Sequence, residues 1–229
     1  MKEQKKINFT GEFFVPGKTS SRIAKDHMER YKFSTIYCKG KTVLDIACGV
    51  GYSGPLFIEN EALSYDGVDI NEELINNAKS TYKSDKIIYH LGDICTFDND
   101  QKFDLITCFE TIEHVEDYEG AIKNLYNNLK PGGKLLISSP NRFITSPNCK
   151  SLSDKPKNKY HCQEFIPEEL LQILKSFGFK YNNKEEYIYG QRQMHKNKLL
   201  RKIFRKISSA KLTPINKKIP RYFVIIAQK

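Results

Sequence analysis

VLDIACGVGYSG, Val43 to Gly54, sets a short apolar run against a cluster of glycines. Val43–Ala47 has the length of a buried strand and runs into Gly49 and Gly51, residues that let a backbone turn tightly and approach a ligand. Gly49, Gly51 and Gly54 form a literal GxGxxG, which alone is a weak mark of a dinucleotide site. Its surroundings decide which ligand the turn suits.

Downstream, strand-like and helical stretches alternate. Tyr65–Ile70, Lys86–Leu91, Phe103–Phe109 and Lys134–Ser138 read as strands, and Phe179–Gly190 and Tyr222–Ala227 as two more. Helices are expected from Thr19 or Ser20 to Tyr37, over Leu56–Asn60, Asn71–Thr81 and Glu119–Leu129, and from Pro167 to Gly178. This alternation predicts a parallel α/β sheet with helices on both faces.

In such a sheet, ligands bind beyond the carboxyl ends of the strands. Asp69, about 20 residues past the turn, suits ribose hydroxyls, whether the ligand is a dinucleotide or an adenosyl compound. Asp45 separates the two. A carboxylate just before the turn would oppose a pyrophosphate, yet would attract the sulfonium and ammonium of S-adenosylmethionine. Asp93 follows the third strand, where an adenine amino group would need an acceptor. Three acids after three strands favour the cationic adenosyl ligand.

DIACGVG, GVDI, GDI, FDLITCFETIEHV and LKPGGKLLISSPN resemble the successive motifs of class I S-adenosylmethionine-dependent methyltransferases, over roughly residues 41–190. The resemblance implies a Rossmann-like fold with a seven-stranded, mostly parallel sheet. It also implies S-adenosylmethionine as methyl donor and S-adenosylhomocysteine as product, held by Asp45, Ala47, Gly49, Gly51, Tyr52, Asp69, Ile70, Asp93, Ile94 and Glu110. Ala47 stands where that family has glycine, which should narrow the turn. Residues 1–40 are expected to cover the cofactor and residues 41–229 to form the core.

Glu113 and His114 follow the fourth strand, where the methyl group is expected, and His161 lies in YHCQEF. Methyl transfer needs an aligned acceptor and a group to take its proton, a task that suits histidine. Glu113, His114 and His161 are therefore the catalytic candidates; helix capping or core packing are the plain alternatives. ETIEHV and HCQEF, with GEFFVPG at residues 11–17, also resemble a branch acting on sugars and polysaccharides, implying a hydroxyl of a sugar, sugar nucleotide or glycan. Ubiquinone-pathway enzymes share the core, which makes a quinol or aromatic hydroxyl the alternative. ExxEH with a distant histidine also resembles RNA 3′-end 2′-O-methyltransferases, in which Glu110, Glu113, His114 and His161 would hold Mg²⁺ or Mn²⁺.

The 229 residues are 39% hydrophobic and suit one globular domain. The polar MKEQKKINF start has no signal-like apolar region, no run approaches the ~20 apolar residues of a membrane span, and the six cysteines form no CxxC pair. A cytoplasmic, reduced protein is expected. The net charge of +10 is concentrated beyond Glu186, where 12 Lys and Arg meet no acid. Within residues 192–220, Leu199, Leu200, Ile203, Phe204 and Ile207 form an apolar stripe on a basic helix inserted between the last two strands. Arg192, His195, Lys196 and Lys198 would draw an anionic acceptor to the rim; an anionic membrane surface is a second partner, and packing of the stripe on the protein body with a solvated charged back is the plain alternative. Sparse aromatic residues disfavour single-stranded nucleic acid.

Overall fold

A computed structural model describes residues 21–181, 187–197, 208–215 and 218–229. The expected start of the first helix, GEFFVPG and the apolar stripe at 199–207 lie outside these residues. Helix α1 (Ser21–Ser34) stops before the predicted Tyr37 and tightens into a 3-10 turn, Thr35–Tyr37. The Ser34 hydroxyl bonds back to the Arg30 carbonyl and the Thr35 hydroxyl to that of Lys32 (both 2.9 Å), a side-chain competition that favours ending a helix.

Strand β1 (Thr42–Ile46) leads through the glycine turn into α2 (Ser53–Glu59), then β2 (Ser64–Asp69), α3 (Glu72–Thr81) and β3 (Ile87–Leu91). Asn71 caps α3 by accepting from the Glu73 and Leu74 amides. Strand β4 (Phe103–Phe109) precedes α4 (Tyr118–Asn128), whose cap is Asp117. Strand β5 (Leu129–Pro140) is longer than expected: its register slips between Phe103/Leu129 and Leu105/Lys134, so Lys130–Gly133 is an irregularity within the strand. Then come α5 (Arg142–Thr145), α6 (Pro167–Ser176), β6 (Ile188–Gln191), β7 (Thr213–Pro214) and β8 (Tyr222–Gln228).

The sheet runs β3-β2-β1-β4-β5-β8-β6-β7, with β1 to β5 parallel and β8 antiparallel to both β5 and β6. It has eight strands among the described residues, not the expected seven. The extra one, β7, comes from the insertion and pairs only Thr213 and Pro214, too short to leave a periodic signal. A proline suits this edge position. Ile122 and Leu125 of α4 pack with Leu170 and Leu174 of α6 in one apolar cluster. Tyr31 of α1, Phe57 of α2 and Ala78 of α3 belong to another. Val43 and Leu44 fall into different clusters, so β1 is buried on both faces. The six cysteines are free thiols. Among the described residues, no helix is long and apolar enough to cross a membrane.

Arg192 does not stand at the rim as a spare cation: its guanidinium bonds Asp26 of α1 at 2.7–2.8 Å and the Ser208 carbonyl. Lys196 and Lys218 line a cavity of about 550 Å³ walled by Phe143, Tyr187, Ile188 and Ile215. Lys198 lies outside the described residues.

The glycine turn is held from below by Tyr89 of β3, whose hydroxyl donates to the Gly51 carbonyl at 2.7 Å. Gly51 has φ +77°, and a Cβ there would stand 2.6 Å from the Tyr89 ring and 2.7 Å from the Ala78 Cβ. Gly51→Ala should therefore cost about 2–4 kcal/mol, combining left-handed strain with overpacking. Urea unfolding would show it as a lower midpoint at unchanged slope; a loss under ~0.5 kcal/mol would contradict this packing.

Candidate active site

The turn after β1 runs through left-handed backbone at Ala47 (φ 60°), Gly49 (φ 58°) and Gly51. Ala47 thus occupies a conformation that glycine adopts freely and alanine adopts at a cost of ~1–2 kcal/mol. A Cβ on Gly49 would meet nothing within 4 Å. The Gly49 amide donates to Asp69 Oδ2 and the Asn71 amide to Oδ1, both at 2.9 Å, which fixes the Asp69 carboxylate at the end of β2. Burial raises the Asp69 pKa against these backbone hydrogen bonds.

Two cavities open here, of about 220 and 400 Å³, sharing Ala47, Asp69, Thr111 and His114. Gly49, Tyr52 and Glu110 line the smaller, and Ile70, Asp93 and Ile94 the larger. Eight of the ten residues expected at the cofactor thus line one or both of these adjoining cavities. Gly51 lines neither cavity and serves packing.

Asp45 is the other exception. It is fully buried and its oxygens are already engaged: Oδ1 by the hydroxyls of Tyr31 and Thr107, Oδ2 by those of Ser53 and Tyr65. Its carboxylate lines neither cavity, so any attraction it exerts on the ligand's cations acts through intervening groups or water. Burial outweighs the four hydrogen bonds and raises its pKa to about 6.

The smaller cavity is walled by His27 and Tyr31, one turn apart on α1, with Tyr52 and Phe109. The Tyr31 ring meets those of Tyr52 and Phe109 edge-on, with centroids 5.3 and 5.2 Å apart. Burial, aided by Arg30, lowers the His27 pKa well below its ordinary value. His27 and Tyr31 were missed as wall residues, although their i, i+4 spacing puts them on one helix face.

Beyond β4, Glu110 adopts φ 51°; its amide donates to Ser138 Oγ, whose hydroxyl donates back to Glu110 Oε1 at 2.7 Å. Arg30 stands 3.9 Å from the same carboxylate. The next residues form the 3-10 turn Ile112–His114. His114 Nδ1 lies 3.0 Å from the Tyr160 carbonyl, which can only accept, so Nδ1 carries a proton and the lone pair of the neutral ring is on Nε2.

His161 lies edge-on to His114, ring centroids 4.7 Å apart. Its Nε2 accepts from the Asn158 amide at 2.8 Å, and its Nδ1 donates to Glu164 Oε1 at 2.7 Å. The Asn158 oxygen accepts from the Tyr160 amide, which fixes the orientation of that side chain. Burial works to raise the Glu164 pKa, but bonds from His161, Thr145 and Ser146 hold it below the usual range. Glu113 is 1% exposed, and burial beside the Glu110 carboxylate raises its pKa well above the usual value.

Of the four metal-ligand candidates, Glu113, His114 and His161 have ligand atoms within 4.8 Å of one another. Glu110 is not in this group; it is committed to Ser138 and Arg30. Both His161 nitrogens are engaged and His161 lines neither cavity, whereas His114 lines both.

A family model described as a methyltransferase domain matches residues 22–183, from α1 past α6. The chain belongs to the methyltransferase family. It is 29% identical over 186 residues to a probable S-adenosylmethionine-dependent methyltransferase of Mycolicibacterium smegmatis, covering 80% of this chain and 70% of that one. It is 37% identical over 161 residues to the ubiquinone biosynthesis O-methyltransferase of Coxiella burnetii, covering 66% and 68%. Among solved structures, the N-methyltransferase NodS of Bradyrhizobium japonicum, in complex with S-adenosyl-L-homocysteine, superposes with a TM-score of 0.57 at 18% identity, over 91% of this chain and 86% of that one. The protein is an S-adenosylmethionine-dependent methyltransferase with a Rossmann-like fold.

Calorimetric titration with S-adenosylhomocysteine should show binding that Asp69→Ala weakens by about 1–3 kcal/mol, the scale of a lost charged hydrogen bond. Unchanged affinity would remove Asp69 from the cofactor site.

Asp45 should leave a pH signature. Its pKa rises from 3.8 unfolded to about 6 folded, so between these values the folded state binds more protons. Its contribution to stability is complete below pH ~4 and is lost as pH rises through ~6, a fall of about 3 kcal/mol. Denaturant titrations at a series of pH values should show this fall as a difference between wild type and Asp45→Asn. Parallel curves would show that the carboxyl titrates alike in both states.

Proposed function

We propose that the chain methylates a hydroxyl on a small aromatic acceptor, with His114 taking up the hydroxyl's proton. The observation that carries this reading is the position of His114. It lines both cavities, and its Nδ1–H is tied to the Tyr160 carbonyl, so that Nε2 is the basic atom. The acceptor oxygen attacks the methyl carbon in line, the carbon–sulfur bond breaks, and S-adenosylhomocysteine leaves as a neutral thioether. The sulfonium is already a good leaving group, so the protein's work is alignment and proton removal.

Tyr31, Tyr52 and Phe109 favour an aromatic ring, which packs edge-to-face with such walls. The 37%-identical relative, named for ubiquinone biosynthesis, supports the same class. The sugar or glycan hydroxyl rests on motif resemblance alone and is the competing acceptor. The cavity that Lys196 and Lys218 line shares no residue with the two cavities at the strand ends, and His114 and its neighbours do not depend on an anionic acceptor.

A methyl-transfer screen of catechols and quinols, sugar nucleotides and RNA 3′ ends separates the classes. Transfer to the phenolic set is expected, with His114→Gln lowering kcat about 10²–10⁴-fold while S-adenosylhomocysteine affinity holds. Transfer confined to sugar nucleotides or RNA would overturn the aromatic reading.

A further inference from the structure

Between the start of α6 and the sheet edge formed by β6 and β7 lies the cavity of about 550 Å³, larger than either cavity at the strand ends. Its volume falls in the range of small-molecule sites. Strand β6 turns Tyr189 towards Phe33 of α1, ring centroids 4.6 Å apart, so by alternation Ile188 faces the opposite side and joins the cavity wall. Tyr187, Ile188, Ile215 and Ile219 are only half-buried there, and Phe143 of α5 is 58% exposed. Apolar side chains gathered around a hollow and left in water mark a place that a ligand covers.

The walls are tied to one another. Asn141, 1% exposed, accepts from the Phe143 amide and donates to the Pro220 carbonyl, both at 3.1 Å, which fastens α5 to the segment leading into β8. Met194 and Ile219 exchange backbone hydrogen bonds of 2.7 and 2.8 Å in an isolated antiparallel bridge. Lys196 lies two residues past Met194 and Lys218 just before Ile219, so the bridge brings both exposed lysines to the same cavity. Among the described residues of the wall, the acid is Glu168, on the first turn of α6. Two ammoniums against one carboxylate give the site a net positive charge.

We propose that this cavity binds a small amphipathic anion, an aliphatic or aromatic body carrying one carboxylate or phosphate. The body covers Phe143, Ile188 and Ile215, and the head group meets the ammoniums of Lys196 and Lys218. An uncharged apolar molecule gains nothing from the ammoniums, and a bare inorganic anion covers none of the apolar wall; an amphiphile uses both. The inference is independent of the acceptor's identity, because His114 and the residues of the two strand-end cavities are not part of this one. The occupant does lean on the support of His161: Phe143 stands on α5, whose Arg142 donates to the Glu164 carbonyl and whose Thr145 donates to the Glu164 carboxylate.

Calorimetric titration with octanoate and octyl phosphate reads the site, with octanol as the uncharged control and inorganic phosphate as the chainless one. One equivalent of either amphiphile is expected, bound more tightly than octanol, with no uptake of phosphate. Phe143→Ala should weaken binding about 2–10-fold, the loss of one aromatic contact. Lys196→Gln/Lys218→Gln should weaken it about 2–30-fold at low salt and remove the advantage over octanol. S-adenosylhomocysteine should bind every variant as it binds the wild type, and should not displace octanoate. No binding of either amphiphile by a wild type that binds S-adenosylhomocysteine overturns the site, as does affinity unchanged in both variants. Displacement of octanoate by S-adenosylhomocysteine, or octanol binding as tightly as octanoate, overturns it equally. Binding to phosphatidylglycerol vesicles with none to the monomeric amphiphiles would make the wall a membrane-facing surface instead.

Discussion

The carboxylate of Asp45 holds the site together. Its two oxygens collect four hydroxyls: Tyr31 from α1, Ser53 from α2, Tyr65 from β2 and Thr107 from β4. One residue of β1 thereby ties two helices and both neighbouring strands together directly beneath the glycine turn. A bare carboxylate in such a place would be prohibitively costly; four donors make it tolerable, although its raised pKa shows that the compensation is incomplete. Tyr31 links this knot to the cavity, since its hydroxyl serves Asp45 while its ring forms the wall.

Backbone strain gathers above that knot. Ala47 at the end of β1 and Glu110 at the end of β4 are both non-glycine residues with positive φ, and both line the smaller cavity. Such conformations persist only where the surroundings over-determine them. At Glu110 the surroundings are the reciprocal bonds with Ser138 of β5. At Ala47 they are the Asp69 carboxylate that holds the next turn of chain and the Tyr89 hydroxyl that holds Gly51. The left-handed turns point the chain away from the strand ends and leave room between them for a ligand.

The parallel core of the sheet, the α3 cap and the placing of Asp69, Asp93 and His114 at or just beyond strand ends were legible because each depends on local spacing or on a strand end. That the Asp45 carboxylate is enclosed by hydroxyls and does not line a cavity is something spacing cannot reveal. Leu44, Asp45 and Ile46 are all buried, since helices cover both faces of β1, and a strand buried on both sides gives no alternation to tell inside from outside. The donors that capture Asp45 are 8 to 62 residues away in sequence, and only the sheet register brings Thr107 opposite it. Strand β7 escaped for want of length, and Arg192 looked like a rim charge because its partner Asp26 lies 166 residues away.

Glu164 could have been found. It follows His161 by three residues in HCQEF, the same short spacing that lets a carboxylate reach an imidazole, and Tyr160 precedes that pair directly. One segment, residues 158–164, therefore supplies the second histidine and the groups that fix both imidazoles: the Tyr160 carbonyl for His114, Asn158 and Glu164 for His161. It is itself fastened to the β4 loop, because the Cys162 amide donates to the Glu113 carbonyl and the Gln163 amide group to the carbonyls of Ile112 and Val115. The proton positions on the two rings are thus set by backbone that the loop after β4 holds in place. A change in this segment that spares both histidines would still disturb their chemistry by releasing the tautomers.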